Sequence, residues 1–413
     1  MPTEPSTFLL LHFSGNDHAG LTADLTHVLA AHEVLILDLG QSVVHETLAL
    51  SLLVAVPASR NLDALKVTLR EHARELGLEP SFSPVTSDAV ERWQQAQLHP
   101  HWVMTLLGPA ITAGHLAEVS AILAAQAFNV LRMEPLTVTQ RAAAGAPTEA
   151  QNGKFAALSI TLQGDATKIT SLRKQLRVAA EQLGIDLVLE ADGIFRRNRR
   201  LFVFDMDSTL IQGEVIDELA KLAGVGEQVS AITAAAMRGE LDFDQSFTKR
   251  LGLLQGLDAE LAHRLIHQIP LMPGAERLFD TLNRLGAKTA ILSGGFNFFA
   301  HHLQQHLGVD YVHANELEIR DGKLTGQVVP PIINGARKAH LLTAIAEREA
   351  ITTEQIVAVG DGANDIPMLK LAGMGVAYHA KPRVRDMADH SISTVGLDGL
   401  LYLLGFSDRN LKS

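Results

Sequence analysis

Cysteine is absent from this 413-residue chain, and so is any apolar run long enough to span a bilayer. The lack of thiols excludes disulfides, thiolate metal sites and a cysteine nucleophile. The first residues, MPTEPS, lack the basic start of a secretion signal, so we expect a cytoplasmic protein without a membrane partner. An excess of basic residues is also missing. The net charge of −11 argues against nucleic-acid or membrane-surface binding.

The length exceeds that of one ordinary domain and predicts two or three. Hydrophobic residues make up 47% and charged residues 20%, which is typical of a globular protein. Because the molecule is acidic overall, a phosphate substrate would need a positive site built locally.

The first half of the chain repeats itself. Residues 20–39 (GLTADLTHVLAAHEVLILDL) align without a gap on residues 114–133 (GHLAEVSAILAAQAFNVLRM), and the apolar positions of both predict a helix followed by a strand. Each copy shows the pattern strand, helix, strand, strand, helix, strand. This is the ferredoxin-like (βαββαβ) order.

The two copies are predicted to form separate domains at 1–90 and 98–192. The polar stretch 88–100, which ends in proline, is the expected joint between them. An Ala/Gly/Pro-rich stretch at 140–153 shifts the alignment of the copies, and we expect a surface loop there. Apolar residues at helical spacing predict a helix over 62–76.

The second half alternates short apolar runs with helical stretches, which predicts a Rossmann-like α/β fold around a mainly parallel sheet. The predicted strands are 201–204, 289–292, 356–359 and 375–377. The first three lead directly into polar residues: Asp205, Ser293, and Asp361 after Gly360. Because sites in open α/β sheets lie beyond the carboxyl ends of the strands, we expect these three side chains to share one pocket.

A basic run, RRNRR at 196–200, precedes the first of these strands. We interpret it as a solvated linker rather than a nucleic-acid contact.

Asp205 and Asp207 flank one residue at the end of a predicted buried strand. A carboxylate can attack phosphorus, and a second carboxyl two residues on can protonate the leaving oxygen and later activate water. Ser208 and Thr209 add donors for phosphoryl oxygens. The simpler interpretation is an Asp pair that caps a turn, but the preceding strand favours the catalytic one.

Asp361 begins the stretch DGAND at 361–365. Mg²⁺ prefers hard oxygen ligands and keeps several waters, so Asp205 and Asp361 with a backbone carbonyl would suffice. The alternative is a strand-to-helix turn in which Asp and Asn only cap.

Ser293 and the Gly294 amide can hold a phosphoryl oxygen near a helix N-terminus, although a lone serine there is more often an N-cap. Lys338 is a candidate for neutralising the phosphate. Spacing alone does not separate it from Arg337 or Lys323.

Four stretches of the second half resemble the haloacid dehalogenase superfamily and, within it, the phosphoserine phosphatases. They are FDMDSTLIQGEVIDELA (204–220), MRGELDFDQSFTKRL (237–251), ILSGGF (291–296) and VAVGDGANDIPML (357–369). The resemblance implies a phosphatase domain over 198–413, with a small helical cap at about 212–285 on the parallel-sheet core.

The resemblance also implies residue roles. Asp205 would be the nucleophile and Asp207 the general acid and base. Mg²⁺ would bind the Asp205 side chain, the Asp207 carbonyl and Asp361. The phosphoryl group would contact Ser293, Gly294 and Lys338.

Substrate selection is assigned by the resemblance as well. Glu214 would bind the substrate ammonium and Arg250 its carboxylate, for which a guanidinium fork is suited. Met237 and Phe243 would form an apolar wall, and Asn364 would lie near substrate and metal water. Without the resemblance, Glu214 would be taken for a helix first-turn acid and Arg250 for a surface residue.

The repeated first half resembles a tandem of ACT domains, small modules that often bind amino acids. GNDHAG (15–20) is similar to their glycine-bearing loop, and LGPAIT (107–112) is a looser match. Gly20 and Gly108 are therefore candidates for contacting an amino-acid effector, with serine as the natural choice. An equal case exists for glycines that only make tight turns.

Together, the resemblances imply Mg²⁺-dependent hydrolysis of O-phospho-L-serine, the final step of serine biosynthesis, by a homodimer under possible serine control. Phosphotransfer to another hydroxyl, such as that of homoserine, would use the same catalytic residues and stays open. An amino-acid-sensing regulator is the third hypothesis. The intact set of Asp205, Asp207, Lys338 and Asp361 argues against it.

Overall fold

The computed structural model describes residues 6–138 and 155–411, with Ser6 and Met237 described by their backbone alone. The loop predicted over 140–153 lies outside these residues. The chain divides into two compact units, residues 1–99 and 100–413. Within the described ranges, no helix is both long and apolar enough to cross a membrane.

The first unit contains an antiparallel sheet with two helices, called here the first module. Its elements are β1 (Ser6–Asn16), α1 (Leu21–Ala31), β2 (Leu35–Val44), β3 (Thr47–Pro57), α2 (Leu62–Glu75) and β4 (Leu78–Val85). The strand order β2-β3-β1-β4 confirms the ferredoxin-like prediction. The helix predicted over 62–76 is confirmed as α2, and it buries Leu65, Leu69 and Ala73 in the module core.

The stretch 88–100, expected as a polar joint, is largely helical. Helix α3 (Ser87–Ala96) begins after Thr86, whose Oγ1 accepts a hydrogen bond from the Ala89 N–H. Val90 is its buried residue, so most of its surface stays polar.

The second unit begins with another antiparallel sheet, the second module. Its elements are β5 (His101–Gly108), α4 (Ala113–Ala125), β6 (Asn129–Pro135), β7 (Ala156–Gln163), α5 (Ile169–Leu183) and β8 (Asp186–Ala191). The strand order β6-β7-β5-β8 repeats that of the first module, strand for strand. The repeat seen in the sequence is therefore a repeat of fold, while the domain boundaries 1–90 and 98–192 stay predictions.

The rest of the second unit is built on a seven-stranded sheet, called here the large sheet. Its strands are β9 (Leu201–Phe204), β10 (Lys288–Phe296), β11 (Tyr311–Arg320), β12 (Lys323–Val329), β13 (Ile356–Gly360), β14 (Met374–Tyr378) and β15 (His390–Ile392). The order is β12-β11-β10-β9-β13-β14-β15, and neighbours are parallel except β11 with β12. All four strands predicted for this half are confirmed.

The large sheet is buried on both faces at its centre, where β9 and β13 carry no polar side chain. Leu201 and Val203 pack into one core, whereas Phe202 and Phe204 pack into the other. Such unbroken apolar runs are typical of parallel sheets covered by helices. The fold class predicted for this half is confirmed.

Helices cover the two faces and the site edge. Between β9 and β10 lie α6 (Val215–Leu222), α7 (Gly226–Met237), α8 (Phe243–Gly252) and α9 (Ala259–Arg264), which we call the cap, and α10 (Ala275–Arg284). The later helices are α11 (Asn297–Leu307), α12 (Gly335–Arg348), α13 (Ile366–Leu371), α14 (Pro382–Met387), α15 (Gly399–Leu403) and α16 (Asp408–Leu411).

Within the second unit, Asp186 joins the second module to the large sheet. Its carboxylate accepts hydrogen bonds from the Ser393 N–H at 2.8 Å and from the Thr394 N–H and hydroxyl at 2.9 and 2.7 Å. Burial raises the pKa of Asp186, and the bonds from Thr394 and Ser393 act against that rise. The joint is therefore a buried charge-assisted contact between two sheets.

The expectation of a solvated linker at 196–200 is wrong for Arg196 and Arg199, whereas Arg197 and Arg200 are exposed. The Arg196 and Arg199 side chains are only 6% and 7% exposed, and both face Glu190 of β8, at 3.8 and 2.8 Å. Burial raises the pKa of Glu190, while Arg199 and Arg196 oppose that rise. Arg196 and Arg199 therefore supply the cations that a carboxylate buried at this joint needs beside it.

Candidate active site

Three polar side chains leave the large sheet at one edge. Phe204 pairs in register with Ile291 on one side and Val359 on the other. Asp205 and Asp361 follow β9 and β13 directly, and Ser293 lies in β10, two residues after Ile291. The Asp205 N–H donates to Val359 O at 2.9 Å, which extends the ladder by one residue. The register therefore brings together the three residues that the sequence placed in one pocket.

Lys338 reaches this edge from the first turns of α12. Its Nζ donates to Asp205 Oδ1 and to Asp365 Oδ1, both at 2.6 Å, and the side chain is fully buried. Burial opposes its charge, but the two carboxylates hold its pKa above the ordinary value. Lys323 is exposed on β12, and Arg337 lies near His313. Among the three cations that the sequence left open, the geometry favours Lys338.

The carboxylates around Lys338 can hold a cation. Ligand oxygens of Asp205, Asp361 and Asp365 lie within 4.8 Å of one another. Burial and Asp365 raise the pKa of Asp205 to about 7 despite Lys338. Burial, then Asp205 and Asp365, raise the pKa of Asp361 well above its ordinary value, and Lys338 opposes that rise. Thr209 Oγ1 donates to Asp361 at 3.3 Å. Hard oxygen donors with excess negative charge fit a divalent cation such as Mg²⁺.

Asp207 lies in a tight turn beside the cap. Its Oδ1 accepts a hydrogen bond from the Val215 N–H at 2.9 Å, at the start of α6. The next residue, Ser208, is left-handed with a φ of 57°. Burial, then Glu214 and Asp205, raise the pKa of Asp207 well above its ordinary value, which favours the protonated form. A Cβ on Gly295 would lie 2.2 Å from Asp207 Oδ2, so glycine is required there.

Ser293 and Gly294 lie in the irregular end of β10, which a buried asparagine holds. The Ser293 hydroxyl accepts from the Gly295 N–H at 2.8 Å. Asn315 Nδ2 donates to Gly294 O at 2.8 Å, and its Oδ1 accepts from the Ile333 N–H at 2.9 Å. Asn315 thus ties this end of β10 to the segment before α12. An asparagine inside a strand gives no signal of this in the sequence.

The cap places three predicted residues over the edge. Phe243 lies so close to Gly294 that a Cβ there would be 2.8 Å from the ring. Burial raises the pKa of Glu214, and Arg250 opposes that rise, so the two charges lie near each other. The Arg250 Nε is buried with no hydrogen-bond partner among the described residues. The side chain of Met237 lies outside them.

Asn364 and Asp365 follow β13 in a short turn. A Cβ on Gly335 would lie 2.6 Å from Asn364 O, so this turn packs against the start of α12. Asp365 Oδ2 accepts from the Gly362 N–H at 2.9 Å, and its other oxygen binds Lys338. The sequence analysis missed Asp365. The sequence feature that could have indicated Asp365 is a second carboxylate four residues after Asp361, in a turn that returns toward Asp361.

Local structure accounts for glycine at both candidate effector positions. Gly20 is exposed, has a φ of 104° and precedes α1. Gly108 is buried, and a Cβ on it would lie 2.8 Å from Ile185 Cγ2. The effector contact stays a prediction at both positions.

Comparisons with known proteins show which family this chain is similar to. Residues 199–373 match the model of the haloacid dehalogenase-like hydrolases, and residues 7–83 match an ACT domain. A phosphoserine phosphatase of Streptomyces coelicolor is 38% identical over 98% of this chain and 94% of its own length. Phosphoserine phosphatase SerB2 of Mycobacterium tuberculosis is 39% identical over 100% of this chain and 96% of its own.

Among solved structures, a haloacid dehalogenase family hydrolase of Salmonella enterica serovar Typhi superimposes with a TM-score of 0.62 at 32% identity. The match covers 73% of this chain and 98% of that one. One assignment follows from the relatives that align over nearly the whole chain, from the two matched family models and from the carboxylates at the strand ends. The chain belongs to the phosphoserine phosphatase family of the haloacid dehalogenase-like hydrolases, enzymes that here carry an ACT domain ahead of the hydrolase fold.

Proposed function

We propose that this enzyme hydrolyses O-phospho-L-serine to L-serine and phosphate through an aspartyl-phosphate on Asp205. The observation that carries the proposal is the buried Lys338, which bridges Asp205 and Asp365 at the strand edge. It supplies part of the local positive charge that an acidic protein needs for a phosphate, and a bound metal would supply the rest. The names of the Streptomyces and Mycobacterium relatives support phosphoserine as the substrate.

In the first step, an Asp205 carboxylate oxygen attacks phosphorus as the bond from phosphorus to the serine oxygen breaks. The departing oxygen takes the proton of Asp207. Burial and two neighbouring carboxylates favour the protonated form of Asp207, which suits a general acid. The products of this step are serine and an aspartyl-phosphate.

In the second step, water attacks the same phosphorus. Asp207, now a carboxylate, takes a proton from that water, and the bond from phosphorus to the Asp205 oxygen breaks. Phosphate leaves, while Asp205 returns to a carboxylate and Asp207 to an acid. One side chain thus serves both steps from one position.

The phosphoryl oxygens would be held by Lys338, the Ser293 hydroxyl and the Gly294 N–H. Ser293 and Lys338 are completely buried, so their dipole and charge act with little screening by water. Asp205, Asp361 and the Asp207 carbonyl would hold Mg²⁺, while Lys338 engages Asp365. When bound, Mg²⁺ would offset the repulsion between the anionic nucleophile and the phosphate.

Serine recognition would come from the cap. Glu214 would pair with the substrate ammonium and Arg250 with its carboxylate. The Arg250 Nε, which has no partner among the described residues, leaves a donor for that carboxylate. Phe243 and Met237 would cover the substrate, and Asn364 would lie beside the phosphate and metal water.

The test is phosphate release from phosphoserine, phosphothreonine and phosphohomoserine, with Mg²⁺ and with a chelator. We expect phosphoserine to be preferred and the chelator to stop turnover. Asp205→Asn should lower kcat by about 10⁴-fold or more without unfolding the protein. Retained turnover in that variant would refute the aspartyl nucleophile. Phosphohomoserine formed in the presence of homoserine would show phosphotransfer instead.

A regulatory role for the ACT domain is proposed with the catalytic one. The enzyme would complete serine biosynthesis in the cytoplasm as a homodimer, and serine would bind the modules and adjust its rate. Titration of serine against the initial rate and the sedimentation coefficient tests this. No effect on either would remove serine as the effector.

A further inference from the structure

The side chain of Asn334 lies between the cap and the helix that carries Lys338. Its Nδ2 donates to both carboxylate oxygens of Asp244, at 3.2 and 3.1 Å. Its Oδ1 accepts from the Arg337 N–H at 3.1 Å and so caps α12. One amide therefore contacts the cap with its nitrogen and begins a core helix with its oxygen.

Asp244 is not needed to cap its own helix. Asp242 already caps α8, because its side chain accepts from the Gln245 N–H at 2.7 Å and the Gln245 side chain accepts from the Asp242 N–H. The Asp244 carboxylate is therefore available to accept hydrogen bonds from Asn334. The adjacent Phe243 rests on Gly294 of β10, beside Ser293, so this turn of the cap contacts the site on two sides.

The position of Asn334 also fixes the start of α12. The Lys338 N–H donates to Asn334 O at 2.8 Å in the first turn, and the Lys338 side chain extends from there to Asp205 and Asp365. Gly335 is in close contact with Asn364 O, so this turn has no room to slide toward the turn after β13. A change in the Asn334 side chain is therefore expected to alter the position of the Lys338 ammonium.

We propose that Asn334 is a positioning residue that couples closure of the cap to the placement of Lys338 against the nucleophile. The proposal rests on the proposed function of Lys338 and extends it to control by the cap. When the cap is seated, Asp244 orients the Asn334 amide that caps α12, and Lys338 lies between Asp205 and Asp365. Without that contact, substrate binding weakens and the ammonium is less well placed.

Exchange of the two side chains tests the coupling. In N334D the new carboxylate still caps α12, because Asp and Asn are equally good N-caps, but it faces Asp244 and repels it. We expect kcat/KM to fall about 10- to 100-fold, through a lower kcat as well as a higher KM. The double variant D244N/N334D restores one donor and one acceptor with their positions reversed. It should recover kcat to within about threefold of the wild type.

D242N is the matched control. It removes a charge two residues from Asp244 and preserves the α8 cap, so kcat and KM should stay within about twofold of the wild-type values. D244A removes the cap contact while Asn334 keeps capping α12, and it should raise KM more than it lowers kcat. Thermal unfolding of each variant checks that it folds.

The proposal is overturned if N334D matches the wild type, or if D244N/N334D is no faster than N334D. If N334D does not fold, an unchanged KM in D244A overturns it by itself. Turnover of p-nitrophenyl phosphate separates this result from the substrate assignment. Recovery with that ester supports the coupling even if phosphoserine is not hydrolysed, whereas loss of phosphoserine turnover alone counts against the proposed substrate.

Discussion

Two buried carboxylates share one buried ammonium at the candidate site. Asp205 and Asp365 each lie 2.6 Å from Lys338, and their combined charge with it is negative. A buried ion cluster of this kind stabilises little by itself, because desolvation offsets the Coulomb attraction. Its value is in chemistry: the ammonium and a metal can together hold a nucleophile and a phosphate that would otherwise repel each other.

Lys338→Met tests this arrangement. The variant leaves two buried carboxylates without a cation, so we expect kcat to fall by about 10²- to 10³-fold. The free energy of unfolding should decrease by about 3 kcal/mol at neutral pH, less if the carboxyls take up protons. Lys323→Met, at an exposed lysine on β12, is the control and should change neither quantity. Steady-state kinetics and urea unfolding measure both, and full activity in K338M would refute the role of the lysine.

Residues at strand ends could be predicted from the sequence, and residues far from strand ends could not. Asp205, Ser293 and Asp361 each follow an apolar run, and parallel register forces their convergence. Lys338 lies on α12, and its approach to Asp205 depends on how that helix packs, which spacing does not encode. The same limit applied to Asn315.

The cap residues Glu214 and Arg250 were reached only through family resemblance, because each fits an ordinary surface helix. For Gly108, by contrast, the resemblance suggests a ligand contact where packing alone explains the residue. Its contact with Ile185 accounts for the glycine without a ligand, so a bulkier residue there would disturb packing whether or not an effector binds.

At the scale of elements, repetition in the sequence revealed the two ferredoxin-like sheets, since each copy repeats the same apolar periods. Strands β11 and β12 and helix α3 left weaker signals. Strand β11 reads YVHANELEIR, and its alternation of polar and apolar residues reflects a place near the sheet edge. The basic residues at 196–200 are evident in the sequence, but the burial of Arg196 and Arg199 depends on Glu190, which belongs to a different sheet.

Asp186→Ala tests the joint between the second module and the large sheet. The substitution removes three hydrogen bonds and leaves the Ser393 and Thr394 N–H groups without their acceptor. We expect the free energy of unfolding of the 100–413 unit to fall by about 2–3 kcal/mol. Kinetic constants of the folded enzyme should change little, since Asp186 is not a site residue. Asp192→Ala, at an exposed acid just past β8, is the control, and equal stability of the two variants would contradict the assigned contact.

For the whole molecule, stability against acid should depend on His390 in β15. Burial, with Arg173 and Arg199, lowers the pKa of His390 to about 3. The unfolded chain therefore binds a proton at pH values where the folded chain does not. The stabilising effect is present above the unfolded pKa of about 6.5 and is lost progressively as pH falls toward 3.

His390→Gln removes that titration. Between pH 7.5 and 5.5 this one group should cost the wild type about 1.4 kcal/mol of unfolding free energy, from the value of one pKa unit, and the variant should lose correspondingly less. Urea unfolding at the two pH values measures the difference. Identical pH dependence in the two proteins would show that His390 is not the titrating group.

The contact of Asp186 with Ser393 and Thr394 also limits how such chains can be recombined. The partners are 207 and 208 positions apart in sequence, at the start of one strand and just past the end of another. A chimera that takes its second module from one relative and its hydrolase fold from another would combine the two sides of this contact from different proteins. Grafts that exchange the residues of both β8 and the segment after β15 should express as intact proteins more often than grafts cut at the boundary alone.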